Sequence, residues 1–201
     1  MTRRMNHLFA AAFTLAALTL GQAGLASAGP ATDVVKAKQT VLFDLLKKGG
    51  AEDQKKISAV FDEMLDYSAL AESSLGSEWA ARSEAEKGQF RDLLKQLVRK
   101  AYERNLKKTL NFNIEYLSET ESGGVQTVKT KAVSKTNARE EPLEITFKLA
   151  QKGGTWLVRD IVTEGVSLVG SYRAQFTKII KKDGFPALLQ KMKDKLAKGD
   201  V

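Results

Sequence analysis

Residues 143–164, LEITFKLAQKGGTWLVRDIVTE, decide the fold of this chain. Apolar and polar residues alternate before the Gly-Gly pair and again after it. Alternation with a period of two is typical of a β-strand that buries one face, and paired glycines between two such strands indicate a tight turn. The sequence therefore predicts two antiparallel strands that are joined by a hairpin at residues 152–154.

The alternation also assigns faces to the two strands. Before the turn, one face carries a row of apolar side chains: Leu143, Ile145, Phe147 and Leu149. After the turn, we expect Trp156, Val158 and Asp160 on one face. Leu157 and Ile161 are expected on the other face.

Two further strands are predicted ahead of this hairpin. Residues 112–117 alternate, residues 122–124 form a turn, and residues 125–135 form a long strand. One face of that strand carries Val128, Thr130 and Ala132. Because every connection is short, we expect a four-stranded antiparallel meander.

The sequence before the meander has helical spacing of its apolar residues. We expect a first helix that is capped by Asp33 and ends at the glycines of residues 49–50. A second helix follows around residues 57–65. A third, short helix is predicted to begin near Tyr67 and to stop at Gly76.

A fourth helix has the clearest start, because Ser83 and Glu86 form the pattern of a capping box. After the meander, Gly165 opens a fifth helical segment that residues 183–184 separate from a last amphipathic helix with many lysines. The order of helices, sheet and helices predicts an α+β domain whose helices cover one face of the sheet.

The first 28 residues have the three parts of a secretory signal peptide: a basic start, an apolar run over residues 8–20, and a small-x-small end. A membrane anchor is the alternative, but this apolar run is shorter than the roughly 18–20 residues that a span needs. We expect cleavage after Ala28, which leaves residues 29–201 as one domain.

Composition limits the kinds of catalysis and metal binding that are possible for this chain. The 201 residues are 43% hydrophobic, which is too apolar for a disordered chain, and they include no cysteine and one histidine, His7. Removal of the leader takes away His7, Arg3 and Arg4, so the formal charge falls from +8 to +6. Histidine- or cysteine-based catalysis and metal binding are then excluded. These residue counts do not exclude catalysis by carboxylate, lysine, tyrosine or serine–lysine groups.

Two features that suggest other functions have simpler interpretations. Residues 165–170, GVSLVG, resemble a nucleophile elbow, but the second glycine comes one residue late and no histidine is present to activate Ser167. The basic residues are not interleaved with aromatic ones, so we expect no nucleic-acid binding. They form either a solvated face or a docking surface for anionic headgroups or acidic proteins.

Two longer stretches resemble a known family. Residues 61–79, FDEMLDYSALAESSLGSEW, are similar to the "FD…LA…LG…W" region of the MlaC family, also called the toluene-tolerance auxiliary family. Residues 156–176, WLVRDIVTEGVSLVGSYRAQF, resemble its most distinctive stretch, "W.V.D…EG.SL….YR.QF". The resemblance stays in register over roughly residues 34–189.

The resemblance implies a periplasmic phospholipid carrier. Members of the family shuttle phospholipid between an outer-membrane lipoprotein–porin complex and an inner-membrane ABC transporter with an MCE-domain subunit, and so maintain outer-membrane lipid asymmetry. The acyl chains lie in an apolar cavity between sheet and helices. The family has no catalytic residues and needs no metal or cofactor; bound phospholipid is the cargo. We expect a monomer.

Periodicity gives the residues that would line such a cavity. The fourth helix, the inner sheet face and the helix after Gly165 contribute, in that order, Leu94, Leu97, Val98 and Ala101; Val128, Ile145, Phe147 and Val158; and Val169, Tyr172 and Phe176. Tyr172 and Arg173 are candidates for the headgroup at the mouth.

Composition does not separate a lipid cavity from an ordinary packed core. The alternative function is therefore a non-enzymatic periplasmic interaction or chaperone module with a packed core and a basic docking face. A small enzyme on a cone-shaped α+β fold is a third hypothesis, but that class keeps a histidine or paired carboxylates in its pocket.

Overall fold

The computed structural model describes residues 29–199, and of residues 105–109 the backbone only. The predicted signal peptide lies outside the described residues. Within them, six α-helices, a short 3₁₀ turn (Gly76–Glu78) and five strands follow one another. They are α1 (Pro30–Lys48), α2 (Ala51–Met64), α3 (Tyr67–Leu75), α4 (Glu84–Thr109), β1 (Phe112–Ser122), β2 (Val125–Ser134), β3 (Leu143–Lys152), β4 (Thr155–Thr163), β5 (Val166–Ser167), α5 (Leu168–Asp183) and α6 (Phe185–Lys198).

The strands form one antiparallel sheet in the order β1-β2-β3-β4-β5, so the predicted α+β meander is confirmed. The predicted number of strands was one too low. β5 has only two residues, and it returns to β4 after a turn in which Glu164 and Gly165 have φ values of 50° and 75°. Two residues are too few to show alternation, so the sequence pattern missed this strand.

The faces predicted for β2 and β3 are correct, and those of β4 are correct as far as Val158 but wrong for Asp160 and Ile161. Lys148 pairs with Asp160 and Leu149 pairs with Val158, so Arg159 is an extra residue in β4. An extra residue of this kind forms a β-bulge and changes which side chains face the core. As a result Ile161 is buried with Val158 instead of lying on the opposite face.

Helix α1 begins three residues before the predicted cap, Asp33. Its N-cap is Gly29, and the capping oxygens come from Glu119 on β1, which accepts hydrogen bonds from Thr32 N at 2.7 Å and Thr32 Oγ1 at 2.6 Å. A Cβ atom on Gly29 would overlap the Glu119 carboxylate, so the glycine permits this close approach. The capping group lies far away in sequence, which explains why local patterning placed the start too late.

The capping box and the glycine helix ends that the sequence predicts agree with the structure, whereas α2 begins at Ala51, ahead of the predicted residues 57–65, and α5 begins at Leu168 and not at Gly165. Ser83 and Glu86 form the expected capping box of α4, with Glu86 accepting from the Ser83 backbone N–H at 2.8 Å. Gly49 ends α1 and Gly76 ends α3. Gly184, with φ 85° and ψ 166°, separates α5 from α6.

The helices lie against one face of the sheet and share one apolar core with it. Helices α2, α3 and α5 contact β4, and α1 contacts β1 and β2. Helix α4 packs against α3 and α6, and α5 packs against α3 and α6. Among the helices of residues 29–199, none is both long enough and apolar enough to cross a bilayer.

Candidate functional site

A cavity of about 420 Å³ lies between α4, α5 and α6. Its floor consists of buried apolar side chains from all three helices: Leu97, Phe176, Leu188 and Met192. Tyr172 and Ile179 are half-buried on one wall. The rim is exposed and polar, and it consists of Gln175, Lys191, Asp194, Lys195 and Lys198. The cavity is therefore an amphipathic groove that opens to solvent.

Ring packing fixes the α5 wall of this groove. The rings of Tyr172 and Phe176 stack with their centroids 5.2 Å apart, and Phe90 on α4 meets Phe176 edge to face at 5.5 Å. On α6, Phe185 packs 6.2 Å from Phe90. Aromatic pairs at these separations attract one another beyond their area burial. Gly184 then lets α6 turn back beside α5.

The charges on the rim differ in whether they are paired. Lys191 Nζ lies 2.6 Å from Asp183 Oδ2, and Asp194 accepts a hydrogen bond from the Gln190 amide at 2.8 Å. Lys195 and Lys198 form no ion pair with any carboxylate of residues 29–199.

Ten of the eleven residues predicted to line a lipid cavity belong to one apolar core or pack against it, but only three of the eleven reach the groove. Leu97, Tyr172 and Phe176 line it. The others predicted in the core are buried: Leu94, Val98, Val128, Phe147, Val158 and Val169. Ile145 packs against this core and is half-buried, as is Ala101. Contact between this layer and a ligand stays a prediction.

Tyr172 and Arg173 were predicted together at the mouth, but they point to different neighbours. Tyr172 lines the groove. Arg173 is exposed, and its Nε donates a hydrogen bond to the carbonyl oxygen of Ser73 at 2.7 Å, which joins α5 to α3. The headgroup contact of either residue stays a prediction.

Sequence reasoning missed the α6 side of the groove. Leu188, Met192 and Lys195 are four and three residues apart, so they share one face of the helix. The helix was interpreted as a core stripe with a separate lysine face. The mixture of apolar and basic residues on the same face was the pattern that could have identified the groove.

A second depression of about 320 Å³ lies between α3, α4 and the β3–β4 hairpin. Its cations are largely paired: Lys152 Nζ is 3.2 Å from Asp66 Oδ1, and Lys95 Nζ is 2.8 Å from Asp62 Oδ2. Asp66 is 3% exposed, and it also caps α3 by accepting from the Ala69 backbone N–H. We interpret this region as a structural contact between the helices and the β3–β4 hairpin.

Ser167 has a capping role. Its Oγ accepts a hydrogen bond from Gly170 N at 2.9 Å at the start of α5, and it donates one to Asp160 Oδ2 at 2.8 Å. Asp160 Oδ1 accepts from Val169 N. Among the described residues, no histidine, cysteine, aspartate and glutamate side chains are grouped so as to hold a metal ion.

A sequence model of the MlaC protein family matches residues 36–194. The chain belongs to the MlaC family. The resemblance read from residues 61–79 and 156–176 is thereby confirmed. A search of curated proteins gave no match.

The fold is also similar to that of a phospholipid-binding protein from Ralstonia solanacearum whose structure was solved in complex with a phospholipid. The two chains are 21% identical, with a TM-score of 0.71, and the match covers 86% of this chain and 100% of the other. The MlaC-family chain therefore has the fold of a protein with a known lipid complex.

Proposed function

We propose that this MlaC-family protein is a periplasmic phospholipid carrier whose cargo enters through the α4–α5–α6 groove. The observation that carries the proposal is the amphipathic character of the groove, with an apolar floor for acyl chains and a basic rim for phosphate. The phospholipid complex of the Ralstonia solanacearum protein with the same fold supports it. The family membership supports it independently.

Burial of the acyl chains supplies the affinity in this proposal. Each buried methylene contributes about 0.8 kcal/mol, so long chains bind without a specific headgroup bond. The groove, at about 420 Å³, has the volume of a small-molecule site. A phospholipid with two long chains is larger, and we propose that the helices move away from the sheet to admit it. Leu94, Val98, Val128, Phe147, Val158 and Val169 would then contact the acyl chains.

The carrier role in this proposal is the one that membership of the MlaC family implies. In the proposal, the protein exchanges phospholipid with an inner-membrane ABC transporter that has an MCE-domain subunit and with an outer-membrane lipoprotein–porin complex. Each partner opens the cavity or offers the lipid a better site, and energy coupling belongs to the transporter. Outer-membrane lipid asymmetry is the outcome that this transport maintains. The chain itself performs no chemical step.

Export of the protein is part of the same proposal. Residues 1–28 direct secretion and are removed after Ala28, and residues 29–201 act as one monomeric domain. Intact mass measurement of protein from the periplasmic fraction tests the cleavage position. A chain that retains His7 would contradict it.

The carrier function is tested by native mass spectrometry of protein purified from cells, followed by lipid extraction. We expect about one phospholipid per chain, because the groove is a single continuous site. Ile179→Trp fills the groove from α5 and should lower this occupancy severalfold. Ala174→Trp is the matched control, since it adds the same side chain to an exposed position of α5 outside the groove.

Two results would contradict the proposal. One is wild-type protein that is lipid-free and takes up no phospholipid from liposomes. The other is equal lipid occupancy in the Ile179→Trp and Ala174→Trp proteins at equal thermal stability. Either result would favour the interaction module with a packed core.

A further inference from the structure

We propose that the groove selects phospholipids whose headgroup has a net negative charge over zwitterionic ones. This inference rests on the proposed function, because it concerns the lipid held at the same site. It is carried by the two basic residues of the rim that lack a carboxylate partner in the part of the chain that the structure describes, Lys195 and Lys198.

The α6 side of the rim places three cations in one row. Lys191, Lys195 and Lys198 are four and three residues apart, so their side chains form one row along α6, and Lys195 lies three residues from Met192, which belongs to the floor. An acyl chain on this floor therefore brings its phosphate to the level of the lysines. The first lysine of the row is neutralised by Asp183, at 2.6 Å.

The remaining charges around the mouth do not cancel the other two lysines. Asp194 is the one carboxylate among the residues that line the groove; it accepts the Gln190 amide and forms no ion pair with either lysine, and its negative charge offsets one positive charge. Lys100 on α4 adds a further cation beside the end of α6, where its Nζ donates to the Leu196 carbonyl at 3.0 Å. The mouth is thus net positive over residues 29–199.

A net positive mouth treats the two lipid classes differently. Both classes have a phosphate that Lys195 and Lys198 can bind. A zwitterionic headgroup adds its own ammonium, which the same lysines and Lys100 repel, whereas phosphatidylglycerol adds none. The charges are exposed, so each interaction is modest, and two of them together correspond to a preference of about three- to tenfold.

A competition experiment measures this preference. The delipidated protein is incubated with vesicles that contain equal amounts of phosphatidylglycerol and phosphatidylethanolamine, and is then separated from them by gel filtration. The lipids that remain bound are extracted and quantified by mass spectrometry. Because both lipids come from the same vesicle surface, general attraction of a basic protein to anionic membranes does not bias the ratio. We expect phosphatidylglycerol to be enriched about three- to tenfold.

Charge-matched variants test the two lysines. Lys195→Gln with Lys198→Gln should bring the bound ratio of the two lipids close to that of the vesicle, because the charges that distinguish the headgroups are removed. Lys181→Gln with Lys193→Gln is the control, since it removes the same charge from exposed positions of α5 and α6 that do not line the groove. This control should retain the wild-type preference.

The outcomes separate the inference from the function on which it rests. Uptake of both lipids in the vesicle ratio by the wild-type protein would overturn the selectivity and leave the carrier function standing. Equal loss of preference in the two double variants would also overturn it. Absence of any lipid uptake would overturn the carrier function and the selectivity together.

Discussion

Asp62 on α2 and Arg99 on α4 are joined by a hydrogen bond of 2.6 Å between Oδ1 and Nη2. Lys95 reaches the other carboxylate oxygen of Asp62 at 2.8 Å. One carboxylate therefore connects α2 to two successive turns of α4, the helix that provides Leu97 to the groove.

Replacement of Asp62 tests what this connection contributes. The side chains are partly solvated, so Asp62→Asn should lower the free energy of unfolding by only about 0.5–1 kcal/mol at neutral pH. Urea unfolding followed by circular dichroism measures the change. Asp92→Asn on α4 is the control, because Asp92 is exposed and forms no ion pair with the described residues.

The same variant has a defined pH dependence. Burial raises the pKa of Asp62, but hydrogen bonds from Lys95 and Arg99 outweigh burial and bring the pKa below its ordinary value. A carboxylate with a lowered pKa stabilises the fold above its unfolded pKa of about 4, and this stabilisation is lost as the pH falls through the folded pKa. The difference between wild type and Asp62→Asn should therefore shrink below pH about 4. An equal difference at neutral and acidic pH would contradict this explanation.

All four tyrosines should ionise at a higher pH than an ordinary tyrosine. Burial raises the pKa of each: Tyr67 and Tyr116 to about 12, Tyr172 above its ordinary value, and Tyr102 well above it. Because the folded pKa is raised, the stabilisation is complete below pH about 10 and is lost as the pH rises toward the folded values. Ultraviolet titration should show no phenol with an ordinary midpoint, and unfolding by urea should become easier above pH about 10. A tyrosinate signal that is complete near pH 10 in folded protein would be inconsistent with this packing.

Glu119 should stabilise the start of α1 from the neighbouring strand. Glu119→Ala removes the acceptor of the Thr32 backbone and side chain, and loss of a helix cap costs about 1–2 kcal/mol. Glu119→Gln should cost less, since its amide oxygen can still accept. Glu115→Ala is the control, because Glu115 is exposed on the same strand. Equal urea midpoints for the Glu119→Ala and Glu115→Ala proteins would show that the cap contributes nothing.

Replacement of glycine by alanine should have opposite effects on stability at two positions. Gly184 has φ 85° and ψ 166°, a conformation that is almost restricted to glycine, so Gly184→Ala should cost about 1–3 kcal/mol. Gly88 lies inside α4 with open space at its Cβ position, so Gly88→Ala should stabilise the protein by up to about 1 kcal/mol. Thermal unfolding measures both. A stabilised Gly184→Ala protein would mean that the α5–α6 turn has a different backbone conformation in solution.

The elements that could be predicted from sequence are those set by local interactions. Ser83 and Glu86 are three residues apart, so their capping box is visible in the sequence alone. The strands β1–β4 follow from alternation, and Gly184 follows from the break in helical spacing. The start of α1 and the faces of β4 depend instead on a distant partner, Glu119, and on the bulge at Arg159.

The candidate site was harder to predict for the same reason. Periodicity identifies the apolar layer. It does not distinguish core residues from ligand-lining residues, because both have the same spacing. It did not show that the opening lies between α5 and α6, since that depends on how Phe90, Phe176 and Phe185 pack across three helices. The ion pairs of Asp62 join residues more than 30 positions apart, and no local pattern marks them.

The position of the α6 terminus has a practical consequence for work with this protein. Lys198, the last residue of the helix, lines the groove. A polyhistidine tag fused directly after this helix would begin beside the mouth, where bound metal or added charge competes with any anionic headgroup. Lipid occupancies are therefore better measured on protein whose affinity tag has been removed.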